Sequence, residues 1–137
     1  MASIFTRIVN GEIPCHKIAE DDQHLAFLDI MPLVEGHVLV IPKRETDYIF
    51  DLKQDEFSAL WAFAHKIAPA IRAAIPCKRI GVAVIGLEVP HAHIHLVPMN
   101  HVGDINFTQP KLNPGQDQLK ATSERIRSFL DASLLVG

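Results

Sequence analysis

One run of the sequence alternates between histidine and apolar residues: Pro90-His91-Ala92-His93-Ile94-His95-Leu96-Val97-Pro98. Histidine occupies every second position from 91 to 95, and the intervening residues are apolar. Successive side chains of a β-strand point to opposite faces of the sheet, so this alternation predicts a strand over residues 91–98. The three imidazoles then share one face, while Ala92, Ile94 and Leu96 pack into the core from the other.

Two chemistries fit three imidazoles on one face of a strand. Two histidines at positions i and i+2, together with a third ligand, can hold Zn²⁺ in a catalytic site. Alternatively, one imidazole is a nucleophile, because an ordinary pKa of about 6.5 leaves the ring mostly neutral at pH 7. Flanking imidazoles then donate N–H groups to phosphoryl oxygens. The spacing alone leaves both interpretations open.

A second predicted strand supplies a fourth histidine. The run His37-Val38-Leu39-Val40-Ile41-Pro42 follows Gly36 and is rich in β-branched residues, which is typical of a strand. If this strand lies next to residues 91–98, His37 joins the cluster. The other histidines are predicted to be surface or helix-flank residues: His16, His24, His65 and His101.

The longest amphipathic pattern covers residues 54–75 and predicts a helix with one continuous apolar face. Short helices are predicted after a Ser3 cap at the N-terminus and near the C-terminus, where Leu119, Ile126 and Phe129 should be buried. Strands are predicted at 16–20, 25–29, 38–41, 80–85 and 91–98. The fold class is therefore α+β: a five-stranded, mostly antiparallel sheet with one long helix plus N- and C-terminal helices.

Composition excludes several classes of protein. The 137 residues suffice for one domain. Lysine and arginine number 13 against 16 acidic residues and form no dense basic cluster, so no nucleic-acid partner is expected. No apolar run approaches the roughly 20 residues that span a bilayer, so no membrane partner is expected either. The two cysteines form no disulfide framework and no signal peptide is visible, which predicts a cytoplasmic protein.

Four segments together resemble a known family. The run from His91 to Val97 matches the signature HφHφHφφ, with φ apolar, of the histidine triad (HIT) superfamily of nucleotide hydrolases and transferases. Residues 3–14, 26–30 and 36–43 resemble, in the same order, its N-terminal segment, its ribose-contact strand and its central strand. The chain is most similar to the bacterial Hint-like branch over residues 3–100. A single HIT-like domain over 1–137 is expected, with a C-terminal extension and helix at about 101–137.

The resemblance implies a mechanism and a set of site residues. His93 would attack the α-phosphorus of a purine nucleoside phosphoramidate or related nucleotide conjugate, and water would hydrolyse the covalent nucleotidyl-histidine. His91 and His95 would hold the phosphate oxygens and the leaving side, and His37 would support His91. Asp29 would accept hydrogen bonds from both ribose hydroxyls. The purine slot and its surroundings would comprise Ile4, Phe5, Ile8, Ile13, Phe27, Ile30 and, nearer the phosphate, Glu88.

The resemblance further implies a homodimer, with no cofactor and no required metal. The sequence departs from the family pattern at Ser3 and Thr6, where many bacterial members carry a CxxC pair for structural zinc, so that zinc is not expected. The usual phosphate-contacting Gln is replaced by Leu87, and the usual Asn near the end of strand 80–85 is missing. Two alternatives stay open: a zinc-dependent hydrolase using the three histidines, and a catalytically weak, nucleotide-binding regulatory module.

Overall fold

Five strands form one sheet in the spatial order β1-β2-β3-β5-β4 in the computed structural model, which describes residues 2–135. The strands are β1 (Lys17–Glu20), β2 (His24–Leu28), β3 (Val38–Pro42), β4 (Arg79–Ala83) and β5 (Ile94–Met99). The α-helices are α1 (Ile4–Val9), α2 (Gln54–Ala74) and α3 (Gln116–Arg127). Short 3-10 helices cover Ile49–Asp51, Val102–Ile105 and Ala132–Leu134.

Every neighbouring pair of strands in this sheet is antiparallel. The register sets Leu28 opposite Val38 and Leu39 opposite His95. The late pair, β4 and β5, thus joins the early cluster through β3. The predicted α+β class, with a five-stranded antiparallel sheet and one long helix, is confirmed.

One face of the sheet forms the main hydrophobic core against α2 and α3. Val38 and Val40 share this face with Ile94 and Leu96, and all four side chains are buried. The buried face of α2 comprises Leu60, Phe63, Ala64, Ile67, Ala70, Ile71 and Ala74. Burying one Leu or Ile side chain contributes about 1.5–3 kcal/mol to the free energy of unfolding. The packing of these side chains therefore fixes the strands against the helices. Ala92 also lies in this core, as the alternation predicted.

The opposite face of the sheet is covered in part by α1. Phe5 packs there against Leu25, Phe27, Leu39 and Ile41, which are the alternate residues of β2 and β3. The side chain of Ser3 caps the helix, because its Oγ accepts a hydrogen bond from the Thr6 amide at 3.0 Å. The sheet therefore has a core face and a second face that is free to carry polar groups.

Strand β5 begins three residues later than predicted. The pairing with β3 stops at Ile94, and His91 and His93 lie in an irregular segment that precedes the strand. The amide of Ala92 instead donates to the carbonyl of Thr46 at 2.7 Å. The prediction of a strand from residue 91 is therefore wrong, although Ala92 still alternates correctly into the core.

Two further predictions are wrong. Phe129 is 54% exposed, because α3 ends at Arg127 and the chain turns before the phenyl ring can reach the core; Leu119 and Ile126 are buried as predicted. His24 is buried, not on the surface, since its ring stacks on Phe63 at 5.1 Å. None of the described helices is long and apolar enough to cross a membrane.

Candidate active site

Three polar side chains, Asp29, His37 and His95, lie together on the second face of the sheet. Asp29 follows the last residue of β2, and His37 precedes the first residue of β3. The amide of Asp29 donates to the carbonyl of His37 at 3.0 Å, so the two residues are neighbours across the ladder. His95 lies on the adjacent strand β5, opposite Leu39. The alternation of each strand thus turns these side chains away from the main core.

The orientation of His93 is set by a backbone carbonyl. Its Nδ1 lies 2.7 Å from the carbonyl oxygen of His91, which can only accept, so Nδ1 carries the proton. In the neutral ring Nε2 then keeps its lone pair. Burial lowers the pKa of His93 and favours this neutral form, against the opposing effects of the hydrogen bond to His91, Asp29 and Glu88.

His37 and His95 form a directional pair. The amide of Leu33 donates to His37 Nδ1 at 3.1 Å, so the proton of neutral His37 is on Nε2. That N–H donates to His95 Nδ1 at 2.9 Å, and the proton of His95 is therefore on its Nε2. Burial lowers the pKa of His37 to about 4 and that of His95 to about 3, with nearby positive charges adding to the effect. Both rings are neutral at pH 7.

His91 is fully buried and both its ring nitrogens are engaged. Nε2–H donates to the carbonyl of Pro42 at 2.7 Å, and Nδ1 accepts from the Ser3 hydroxyl at 2.8 Å. The ring therefore has no free nitrogen for a phosphate. The resemblance placed His37 beside His91, but the structure pairs His37 with His95. His91 contacts the cluster through its carbonyl oxygen, which accepts a hydrogen bond from His93.

Asp29 presents a carboxylate at the same place. Its Oδ1 accepts from the Met31 amide at 2.9 Å, and its Oδ2 lies 3.9 Å from His37 Nε2. Burial raises the pKa of Asp29, although the hydrogen bond from Met31 and the charge of Lys111 oppose this. The carboxylate keeps free acceptor sites that can receive hydroxyl donors.

A cleft of about 480 Å³ opens over these groups and has the volume of a small-molecule site. Among the predicted site residues, those that line it are Ile4, Phe5, Asp29, Ile30, Glu88, His93 and His95. The other predicted slot residues do not line the cleft. Phe27 is 3% exposed and packs edge-on against Phe5, Ile8 packs on the same apolar cluster, and Ile13 is half-buried outside the lining.

The C-terminal extension also contributes to the cleft, which sequence reasoning did not predict. Phe107 lies edge-on to the His95 ring with centroids 4.7 Å apart, and Lys111 lines the cleft nearby. The Leu112 amide donates to the Pro32 carbonyl at 2.9 Å and holds this segment against the loop between β2 and β3. Residues 101–113 have no periodic pattern, so no signal in the sequence pointed to them.

One group of side chains near the cleft has donor atoms close enough together for a metal ion. Within the described residues, Asp29, His37 and His95 have one donor atom each within 4.8 Å of one another. The hydrogen bond between His37 and His95 would have to break before both nitrogens could bind an ion. The three-histidine zinc site considered from the sequence does not fit, because both nitrogens of His91 are already hydrogen-bonded.

Fold and cleft together define an α+β protein with clustered neutral imidazoles and a carboxylate at one end of an antiparallel sheet. The profile of the HIT domain matches residues 10–102, and the chain belongs to this family of nucleotide-binding hydrolases. It is 32% identical over 130 residues to adenosine 5'-monophosphoramidase hnt1 of Schizosaccharomyces pombe, covering 93% of this chain and 98% of the relative.

Two solved structures show the same fold. The chain superposes on a Hit-like protein from Bartonella henselae with a TM-score of 0.81 and 28% identity, covering 92% of this chain and 94% of the other. A zinc-bound histidine triad family protein from Mycobacterium smegmatis gives a TM-score of 0.80 and 28% identity, covering 93% and 92%. The resemblance to the histidine triad superfamily is thereby confirmed.

Proposed function

We propose that the protein hydrolyses purine nucleoside phosphoramidates or related nucleotide conjugates through a covalent nucleotidyl intermediate on His93. The observation that carries the proposal is the 2.7 Å hydrogen bond from His93 Nδ1 to the carbonyl of His91. It leaves Nε2 with a lone pair in a cleft that also holds Asp29 and His95. The relation to the Schizosaccharomyces pombe phosphoramidase supports this choice of substrate class.

The reaction divides into two displacements at phosphorus. His93 Nε2 attacks, a new P–N bond to His93 forms, and the bond to the leaving amine breaks as that amine takes up a proton from solvent. Water then attacks the same phosphorus and loses a proton to solvent, the P–N bond to His93 breaks, and a nucleoside monophosphate is released. His95 Nε2–H donates to a phosphoryl oxygen and stabilises the charge that develops there.

The remaining groups in the cleft bind the nucleoside. Asp29 accepts from the ribose hydroxyls, and Ile4, Phe5 and Ile30 form the apolar slot for the base. Ile4 is 49% and Ile30 56% exposed, so both offer apolar surface that a ligand can cover. Glu88 faces the leaving side, where its carboxylate would attract a leaving amine in its protonated form.

A homodimer in the cytoplasm is part of the same proposal. Strand β4 lies at an edge of the sheet, with Val82 49% exposed. Beside it lies an aromatic surface of Tyr48, Phe50, Phe57 and Trp61, in which Phe50 is 69% exposed. Trp61 Nε1 is buried and has no hydrogen-bond partner among the described residues. A second copy would cover the aromatic surface.

The test is a single-turnover incubation with adenosine phosphoramidate, followed by a denaturing quench at alkaline pH, which preserves the acid-labile P–N bond, and by mass spectrometry. An adenylyl adduct is expected on His93 and on no other residue. The His93→Ala variant should retain its circular dichroism spectrum and lose turnover by at least about a thousandfold, since removing the nucleophile of a covalent mechanism has effects of this order. Near-normal turnover by that variant would contradict the proposed mechanism.

Two other functions are each favoured by one observation. Leu87 is 88% exposed at the rim of the cleft where a polar side chain was expected, which favours a nucleotide-binding module with weak catalysis. The group of Asp29, His37 and His95 favours a metal-dependent hydrolase. Tight binding of adenosine monophosphate without any turnover would support the first, and loss of activity with a chelator, restored by zinc, would support the second.

A further inference from the structure

A hydrogen-bonded cluster of Ser3, Thr6 and Glu45 lies behind His91 and contributes no residue to the cleft lining. One carboxylate oxygen, Glu45 Oε1, accepts from the Ser3 amide and from the Thr6 hydroxyl, both at 2.7 Å. These two bonds lower the pKa of Glu45 to about 2, so the carboxylate is charged at pH 7. The cluster joins α1 to the segment that follows β3.

The direction of each hydrogen bond in the cluster is determined by its end groups. The Thr6 hydroxyl gives its proton to Glu45, so it has none for His91, whose Nδ1 lies 3.4 Å away. The Ser3 hydroxyl accepts from the Thr6 amide at 3.0 Å and donates to His91 Nδ1 at 2.8 Å. His91 therefore keeps its proton on Nε2, where it donates to the Pro42 carbonyl.

We infer that Ser3, Thr6 and Glu45 are positioning residues, which hold His91 so that its carbonyl oxygen orients His93 for attack. The inference rests on the proposed function of His93. The two ring bonds of His91 fix its side chain, and its amide donates to the Val89 carbonyl at 2.8 Å, so the peptide unit is held from several sides. The carbonyl then has one orientation in which to accept from His93.

Removing the Ser3 hydroxyl leaves a buried acceptor, His91 Nδ1, without its donor. The His91 ring can then rotate or exchange its tautomer, and the constraint on the carbonyl is lost. The His93 ring then spends less time with Nε2 aligned on phosphorus. Misplacement of this kind lowers kcat and leaves ground-state binding nearly unchanged, because the purine slot and Asp29 are not altered.

The first experiment compares Ser3→Ala with the wild-type protein, using adenosine phosphoramidate as substrate. We expect kcat to fall by roughly ten- to a hundredfold with KM within about twofold. Long-range ¹H–¹⁵N spectra of the imidazoles in the ligand-free protein should show His93 protonated only on Nδ1 in the wild type and a mixture of tautomers in Ser3→Ala. A merely structural role for Ser3 would not change the tautomer of His93.

A second pair of variants covers the case in which Ser3→Ala disturbs folding, since Ser3 also caps α1. Glu45 is exposed, so Glu45→Ala should fold; it frees the Thr6 proton to compete for His91 and should lower kcat by about threefold or more. Glu45→Gln keeps an acceptor oxygen and should restore most of the rate. The matched control is Glu56→Ala, because Glu56 also accepts from one backbone amide and one side chain, those of Lys53 and Arg44.

The outcomes separate this inference from the proposed function. If Ser3→Ala folds with wild-type kcat and unchanged tautomers, or if Glu45→Ala behaves like Glu56→Ala, the positioning role is wrong, while an inactive His93→Ala would leave the proposed function standing. If His93→Ala stays active, the proposed function fails. The tautomers of His91 and His93 in the ligand-free protein then still test the hydrogen-bond network by itself.

Discussion

At the level of single residues, the protonation of this site is determined mainly by the burial of its imidazole rings. His37 and His95 are 1% and 7% exposed, and burial is the largest cause of the fall in each pKa. The neutral ring is the form that can pass a hydrogen bond from one nitrogen to the other. Neutral imidazoles in the folded state therefore serve the proposed chemistry, but they cost stability in acid.

The stability of the protein should fall as the solution is acidified from pH 6.5 to pH 4.5. Unfolded chains bind protons on these rings near the ordinary pKa of 6.5, while the folded rings do so only near about 4 and about 3. The unfolded state therefore binds more protons in this window, and the free energy of unfolding decreases with falling pH. Each ring contributes up to about 1.4 kcal/mol per pH unit.

Urea unfolding at several pH values measures this slope. The double variant His37→Gln/His95→Gln should have a flatter pH dependence than the wild type. The control is His65→Gln, because His65 is exposed on α2, and it should keep the wild-type slope. An identical slope in the double variant would show that the two rings are not the cause.

Gly36, directly before His37, has a positive φ of 89°, and a Cβ there would lie 2.7 Å from Cγ1 of Ile75. Gly36→Ala should therefore lower the free energy of unfolding by about 2–4 kcal/mol, from backbone strain and overpacking together. The control is Gly11→Ala, where φ is 78° and no atom lies within 4 Å, so only strain of about 1–2 kcal/mol is expected. Chemical denaturation of both variants checks the difference, and equal losses would contradict the steric explanation.

At the scale of elements, the C-terminal segment between β5 and α3 completes the cleft. Phe107 and Lys111 come from this segment, and the charge of Lys111 reaches Asp29, His37 and His95 strongly enough to influence their pKa values. Among the residues that line the cleft, Lys111 is the cation, facing the carboxylates of Asp29 and Glu88. A bound phosphate would gain attraction from it.

Lys111→Gln should raise KM for an anionic nucleotide substrate by about three- to tenfold and leave kcat within about twofold, because it removes an attraction present before and during reaction. The salt dependence of kcat/KM should weaken in the same variant. Lys120→Gln is the control, since Lys120 is an exposed lysine on α3 outside the cleft. Steady-state kinetics at two salt concentrations measures both effects. Equal KM values for the two variants would show that Lys111 does not contribute to substrate binding.

The elements differ in how far the sequence could predict them. The alternation of apolar and polar residues placed Ile94 and Leu96 in the core and His95 on the other face, because a two-residue period is local. The start of β5 could not be predicted, since it depends on which backbone groups of β3 are within reach. The same limit applies to the contacts of Phe107 and Lys111, which come from a segment without periodicity.

For the whole molecule, packing of α3 on the main core through Leu119 and Ile126 supports the proposal that residues 1–137 form a single domain. The sequence predicted that His37 joins the histidine cluster, but it did not predict which histidine His37 would hydrogen-bond. The resemblance assigned it to His91, but strand order and register place it against His95. Tertiary geometry, not spacing, decides which imidazoles meet.

The proposed dimer can be tested on the aromatic surface. Phe50→Asp should shift the protein from about twice the chain mass of 15.2 kDa towards the monomer, because an unpaired charge in a buried contact is unfavourable. The control is Phe129→Asp, another exposed phenylalanine outside this surface, which should stay dimeric. Light scattering after gel filtration measures both, and a wild-type protein that runs as a monomer would reject the dimer.

His95 offers a hydrogen-bond donor to the cleft and His93 offers a lone pair. The difference arises because the hydrogen bonds that reach the two rings begin at different peptide groups, an amide in one case and a carbonyl in the other. One begins at a main-chain amide, that of Leu33, and ends in the Nε2–H of His95. The other begins at a main-chain carbonyl, that of His91, and ends in the bare Nε2 of His93. Peptide groups do not change between donor and acceptor. The polarity of the site therefore follows from which peptide groups the backbone presents to the two rings.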